Sequence, residues 1–193
     1  MNIIDTIKPS KLKNITIKNL NKDEVLFREN DKCECIGIVM QGQVSIITYL
    51  EDGKEVVFNT LNTGDIFGNN LIFSSEPYYK GNIITNVSSK IALIDKKELL
   101  SLLKSNEEFM IEYFKIQSNF SKDLNDKIKL LSMDSAEDRF YYYMHKNKKT
   151  ITYSSISKLA KELYIKRETL SRLISKLLKQ KKIIKDKNTI TLL

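Results

Sequence analysis

Between residues 24 and 95 the apolar positions come in short runs that alternate or cluster, separated by Gly, Asn and Asp. That pattern predicts strands at 25–27, 36–40, 44–50, 55–61, 83–87 and 90–94. Between the third and fourth runs, Asp52-Gly53 supplies the positive φ angles of a hairpin turn. Glycines at 42 and 64 mark two further bends of the kind a small barrel or sandwich requires. The period then changes. Phe109, Tyr113, Ile116, Phe120, Leu124, Ile128 and Leu131 recur every three or four residues, which predicts one amphipathic helix from 109 to 131, roughly 34 Å long. Its stripe suits packing on its own domain and pairing with a second copy equally well.

After a break at 132–135, in which Ser135 is a good N-cap, helical periodicity returns at 136–145. A Lys-rich loop is expected at 146–150, then helices at 155–163 and 167–179 joined by only Tyr164, Ile165 and Lys166. Two helices with so short a connection predict a helix-turn-helix. The chain closes with 182–184, a turn at Asp186-Lys187-Asn188 and 189–192, a β-hairpin that makes the module winged. The division expected from these patterns is a β-barrel over 1–106, a long helix over 107–134 and a winged helix-turn-helix over 135–193.

Charge sharpens this division. The 193 residues carry a formal net charge of +8. Residues 1–106 hold 13 basic and 13 acidic side chains, residues 107–134 hold 4 and 6, and residues 135–193 hold 15 and 5. The excess therefore sits on the predicted winged module, as expected of a surface that meets a polyanion, with nucleic acid as the leading partner. No apolar run approaches the roughly 20 residues of a membrane span. The lysine-dotted N-terminus lacks the apolar block of a signal peptide, so no membrane association and a cytoplasmic location are expected.

On the second helix of the pair, taking Arg167 as the origin, Leu173, Leu177, Leu170 and Ile174 fall between about 240° and 340° around the axis, and Ser171, Ser175, Glu168, Lys179 and Arg172 between about 40° and 140°. One face is core and the other is free to enter a major groove. Arginine can take guanine with two hydrogen bonds and a carboxylate can accept from cytosine, so Arg167, Glu168 and Arg172 are the candidate base readers. Ser154, Ser155, Lys158, Lys161, Lys166, Ser171, Lys176, Lys179 and Lys187 are the candidates to support them, chiefly on phosphates.

Residues 165–175, IKRETLSRLIS, resemble the recognition helix of the family of cyclic-AMP receptor protein and fumarate-nitrate regulator. Val25-Leu26-Phe27-Arg28-Glu29-Asn30-Asp31, Gln41-Gly42-Gln43-Val44 and Gly64-Asp65-Ile66-Phe67-Gly68 are similar to that family's sensor barrel in order and spacing. The resemblance implies an α+β chain: an N-terminal double-stranded β-helix (jelly roll) of the cyclic-nucleotide-binding type, a dimerising helix and a C-terminal winged helix-turn-helix. It further implies a homodimeric transcription regulator that reads double-stranded DNA, with RNA polymerase as a further partner if it activates.

The sensor departs from the family pattern. Cyclic-nucleotide-binding members follow the equivalent of Gly68 with Glu and later place an Arg-Ser or Arg-Thr phosphate clamp. This chain has Asn69-Asn70, and Pro77-Tyr78-Tyr79-Lys80-Gly81 holds no arginine. Cyclic AMP is therefore not the expected effector. Gly68, Asn69, Asn70, Tyr79 and Lys80 remain candidates for an altered anionic ligand, an apolar one, or none. Two cysteines cannot ligate an iron-sulfur cluster alone, and a barrel without histidine is not expected to hold haem or another metal. Cys33 and Cys35, two apart, would share a strand face and form a thiol switch, or serve as ordinary small residues. His145 is expected at a helix end. The competing classes are an enzyme on a cupin-like barrel, disfavoured because residues 1–106 lack the histidines such sites use, and a sensor acting through protein contacts without DNA.

Overall fold

The computed structural model describes residues 3–7 and 15–193. The lysines at 8, 11 and 13, part of the N-terminal reading above, lie outside them. The chain forms two compact units, Met1–Asn119 and Phe120–Leu193.

In the first unit, strands β1 (Thr16–Leu20), β2 (Val25–Phe27), β3 (Cys35–Gln41), β4 (Gln43–Tyr49), β5 (Glu55–Asn62), β6 (Ile66–Phe67), β7 (Asn82–Thr85) and β8 (Ser89–Asp95) make two antiparallel four-stranded sheets. Their orders, β1-β8-β3-β6 and β2-β7-β4-β5, are those of a double-stranded β-helix. β3 is central, and four successive residues, 36–39, are buried, which is why its sequence reads as a continuous apolar run. Gly37 and Phe67 are Cα partners in that sheet, and a Cβ on Gly37 would lie 1.9 Å from the Phe67 ring. The glycine makes the space that the ring fills.

Several expectations change here. β1 was not foreseen. It is a mostly exposed edge strand, with only Leu20 half-buried, and only its ladder with β8 reveals it. Helix α1 (Lys96–Ser105) also escaped the periodicity, although Asp95 caps it by accepting from the Glu98 amide at 2.8 Å. In the β4–β5 turn Gly53 has φ +79, but Asp52 is not in the left-handed region. Leu50 accepts from the Gly53 amide at 2.8 Å and donates to the Lys54 carbonyl at 2.9 Å, so the loop is longer than a two-residue turn. Cys33 lies before β3 rather than in it, so the two cysteines do not share a strand face.

Helix α2 (Glu107–Leu131) runs unbroken for 25 residues. Phe109 and Tyr113 are fully buried in the core of the first unit, with Ile116 packed against it. Phe120, Leu124, Ile128 and Leu131 are exposed. The stripe thus divides along the helix into a buried start and an exposed end.

The second unit continues with α3 (Ala136–Lys146), β9 (Thr150–Thr152), α4 (Ile156–Glu162), α5 (Arg167–Lys179), β10 (Ile183–Asp186) and β11 (Thr189–Leu192). Ser135 caps α3, accepting from the Asp138 amide at 3.0 Å. The expected 146–150 loop shrinks to three residues, because Lys146 ends α3 and Thr150 opens β9. β9 pairs with β11, so the wing is a three-stranded sheet of order β10-β11-β9. Phe140, Met144, Leu159, Leu163, Leu170, Leu177 and Ile190 are at its core.

Candidate nucleic-acid interface

Helix α5 has the bounds its periodicity predicts. Leu170, Leu173, Ile174 and Leu177 are buried against the second core, while Arg167, Glu168, Ser171, Arg172, Ser175, Lys176 and Lys179 are exposed. Ser171, Arg172, Ser175, Lys176, Lys179 and Gln180 line a shallow open depression of about 510 Å³. The helix has no side-chain cap at Lys166, so its first-turn amides are not satisfied by a capping side chain.

The supporting candidates are distributed around this helix. Ser154, Lys158, Lys161, Lys166 and Lys187 are exposed. Ser155, also exposed, spends its oxygen lone pair on the Lys158 amide as the N-cap of α4. Lys187 has φ +46 in the two-residue loop of the wing, since Asp186 and Thr189 still pair. Lys176 is not free: its ammonium meets the Glu137 carboxylate of α3 at 2.7 Å, and that hydrogen bond raises its pKa. This pair anchors the flank of α5 to the first helix of the module. His145 is exposed in the last turn of α3.

The turn before α5 is tight. Tyr164 adopts φ +54, unusual for a residue with a Cβ, and its carbonyl accepts from Arg139 Nη1 at 2.8 Å. The Tyr143 hydroxyl donates to Glu162 at 2.7 Å; burial first, then this bond, pushes its pKa up to about 12. Neither Arg139 nor Tyr143 stands out in the sequence. Their partners are a backbone carbonyl and a residue 19 positions away, neither of which leaves a local pattern.

In the first unit, Gly68 and Tyr79 of the five candidate effector positions lie side by side, a Cβ on Gly68 falling 3.5 Å from the Tyr79 hydroxyl, whereas others face solvent. Asn70 and Lys80 are exposed. Tyr79 is buried, its ring stacked on Phe27 at 4.8 Å between centroids, and its hydroxyl donates to the Cys35 carbonyl at 3.4 Å. Burial is the main cause of its strongly raised pKa. Gly68 has φ +76, and a Cβ there would lie 2.9 Å from the Cys35 carbonyl and 3.1 Å from Cys33 Sγ. Asn69 is buried, and Gln117 of α2 holds it: Asn69 Nδ2 donates to Gln117 Oε1, and Gln117 Nε2 donates to the Asn69 carbonyl at 2.9 Å. The Tyr113 hydroxyl adds a second bond to that carbonyl at 3.3 Å. Gln117, a polar residue beside the stripe, gave no signal in the sequence.

The two thiols sit beside Tyr79. Cys33 is buried, and its Sγ donates toward the Cys35 carbonyl at 3.4 Å. Burial, then the neighbouring Cys33, pushes the Cys35 thiol up to about 11. Among the described residues no group of three or more His, Cys, Asp or Glu side chains could hold a metal ion, and no helix is long and apolar enough to cross a membrane.

The sequence profile of the cyclic nucleotide-binding domain matches residues 17–106. The chain is similar to an anaerobic regulatory protein of Bacillus subtilis, 25% identical over 65% of this chain and 53% of that protein. It is also similar to the cAMP-activated global transcriptional regulator CRP of Pasteurella multocida, 27% identical over 45% of this chain and 41% of that one. The chain thus spans about half the length of the curated relatives it matches. Among solved structures, the fold resembles a CooA mutant from Carboxydothermus hydrogenoformans, with TM-score 0.68 and 17% identity over 100% of this chain and 91% of that one. It also resembles the catabolite activator protein of Thermus thermophilus, with TM-score 0.58 and 16% identity over 99% and 93%.

Proposed function

We propose that the chain is a member of the family of cyclic-AMP receptor protein and fumarate-nitrate regulator, to whose proteins it is similar, and that it is a DNA-binding transcription regulator acting as a homodimer on an inverted repeat. The observation that carries this reading is α5. Its leucine face is locked into a winged helix-turn-helix, and Arg167, Glu168 and Arg172 project from the other face with lysines around them. Arg167 and Arg172 read guanines, Glu168 accepts from cytosine, and the lysines and Ser154, Ser155 and Ser171 fix the register on the backbone. RNA polymerase is the further partner where the protein activates. The chain regulates rather than catalyses, and its location is cytoplasmic.

The exposed Phe120, Leu124, Ile128 and Leu131 support the dimer, because four large apolar side chains on one helix gain most by meeting another copy of themselves. The effector in this reading is not a cyclic nucleotide. The stretch 77–81, where the resemblance puts that ligand's phosphate clamp, holds no arginine, the Tyr79 ring stacks on Phe27, and Asn69 spends its amide on Gln117.

Selection of bound DNA from a random pool tests the proposal. A recovered palindrome is the expected result, and absence of any enriched sequence overturns it. On the recovered operator, Arg172→Ala and Glu168→Ala each reduce the preference over random DNA by about 1 to 3 kcal/mol while sparing nonspecific binding. Equal losses on all sequences would remove these residues from the base-reading role.

A further inference from the structure

The sequence places a joint at residues 132–135, between α2 and α3, where a polar break interrupts two helical patterns. The structure closes that joint. Helix ends leave carbonyls without intrahelical partners. Here Arg139, half-buried on α3, collects them: Nη2 donates to the Leu131 carbonyl at 3.4 Å and to Met133 at 3.0 Å, and Nε donates to Met133 at 3.1 Å. Its remaining branch, Nη1, reaches the Tyr164 carbonyl at 2.8 Å in the turn that precedes α5. One planar guanidinium thereby touches the last residue of α2, the linker and the helix-turn-helix turn.

A second, independent tie spans the same joint. Asp126 of α2 accepts from the Tyr142 hydroxyl at 3.1 Å and pairs with Lys146 at 2.6 Å, both on α3. The Lys146 hydrogen bond holds the Asp126 carboxyl below its ordinary range. Lys129 lies over the Tyr142 ring at 4.9 Å. Tyr164 itself sits in the left-handed region, so the direction of its carbonyl is set by a backbone that a residue with a Cβ adopts reluctantly, and Arg139 binds it there.

We propose that Arg139 is the positioning residue of the reading head: it joins the end of α2, α3 and the α4–α5 turn into one body and so fixes the angle at which α5 enters the groove. It acts through the carbonyls of Leu131, Met133 and Tyr164 and does not contact DNA. Lysine cannot replace it, because a single ammonium lacks the rigid fork that serves three carbonyls at once. The inference rests on the DNA-reading proposal above.

The test uses the full chain, wild type against Arg139→Gln, Arg139→Lys and Asp126→Asn. Binding to the selected operator and to random DNA is followed by fluorescence anisotropy over a salt series, and linker opening by hydrogen exchange at residues 131–135. Arg139→Gln is expected to weaken operator binding about ten-fold, with random-sequence binding changed less than about two-fold. The salt slope stays unchanged, the linker amides exchange faster, and Arg139→Lys recovers only part of the loss. A salt slope reduced by about one, with equal losses on all sequences, would make Arg139 a phosphate contact and overturn the proposal. Unchanged operator affinity in a variant whose linker exchanges faster overturns it as well. If Arg139→Gln does not fold, Asp126→Asn carries the test: a few-fold loss confined to the operator supports the single-body reading, and no loss despite faster exchange refutes it. A wild-type protein without sequence preference refutes the DNA-reading proposal and this one with it, whereas wild-type preference kept in Arg139→Gln refutes this one alone.

Discussion

Asn69 and Gln117 satisfy each other within the first unit, the asparagine side chain donating to the glutamine and the glutamine donating back to the asparagine backbone carbonyl at 2.9 Å. Asn69 is buried, so neither of its groups has water as a substitute partner. Gln117→Ala is expected to cost about 1 to 3 kcal/mol in urea unfolding, because the Asn69 amide is then buried without an acceptor. A loss within error of zero would mean that water replaces the glutamine.

Gly37 and Phe67 are matched by shape. A methyl group on residue 37 would meet the Phe67 ring at 1.9 Å, and β3 is too buried on both faces to move aside. Gly37→Ala is expected to destabilise the barrel by about 1 to 3 kcal/mol, and Phe67→Leu in the same chain to restore part of that loss. A double-mutant cycle on thermal unfolding checks the coupling, which vanishes if the ring has another place to go.

The cysteines predict a pH dependence with a definite sign. Cys35, half-buried and beside Cys33, has its thiol raised to about 11 in the folded state, so the folded chain keeps a proton that the unfolded chain releases earlier. Stability from this group is therefore fully present below the ordinary thiol range and is lost as pH rises through about 11. Cys33 shifts in the same direction for the same cause. Both thiols should react slowly with a disulfide reagent at neutral pH in native protein and quickly in urea. Fast native reaction would restore the redox reading that the geometry disfavours.

Leu124 and Ile128 lie exposed on α2. Replacing both by Glu should convert a dimer into monomers in sedimentation velocity and reduce palindrome affinity on the order of 100-fold, because two linked half-sites become two separate events. Circular dichroism should change little, since neither side chain enters a core. A wild-type protein that sediments as a monomer at micromolar concentration would contradict the proposed assembly.

The barrel strands and α5 were legible because their signals are local. A half-buried strand must alternate or cluster, and an amphipathic helix must repeat every 3.6 residues. Helix α1 carried a readable signal too, Asp95 followed three residues later by Glu98 and leucines at 99, 100, 102 and 103, but it follows an apolar strand without a break. The effector region was legible only as a departure from a family pattern. Nothing in the sequence said that Tyr79 stacks on Phe27 or that Gln117 would hold Asn69, because those partners are 52 and 48 residues apart.

The sequence by itself determined the inner barrel strands and the helices α2 to α5, where the charge concentrates, and which face of α5 is left for a partner, since each of these follows from neighbours along the chain. The tertiary structure alone decided that Gly37 yields its space to Phe67 and that the apolar stripe of α2 divides into a buried start and an exposed end. It decided as well that Arg139 closes the 132–135 joint. The physical reason is the same in each case: volume, burial and backbone carbonyls are shared between residues distant in sequence, and a carbonyl, which every residue has, leaves no mark in the order of side chains.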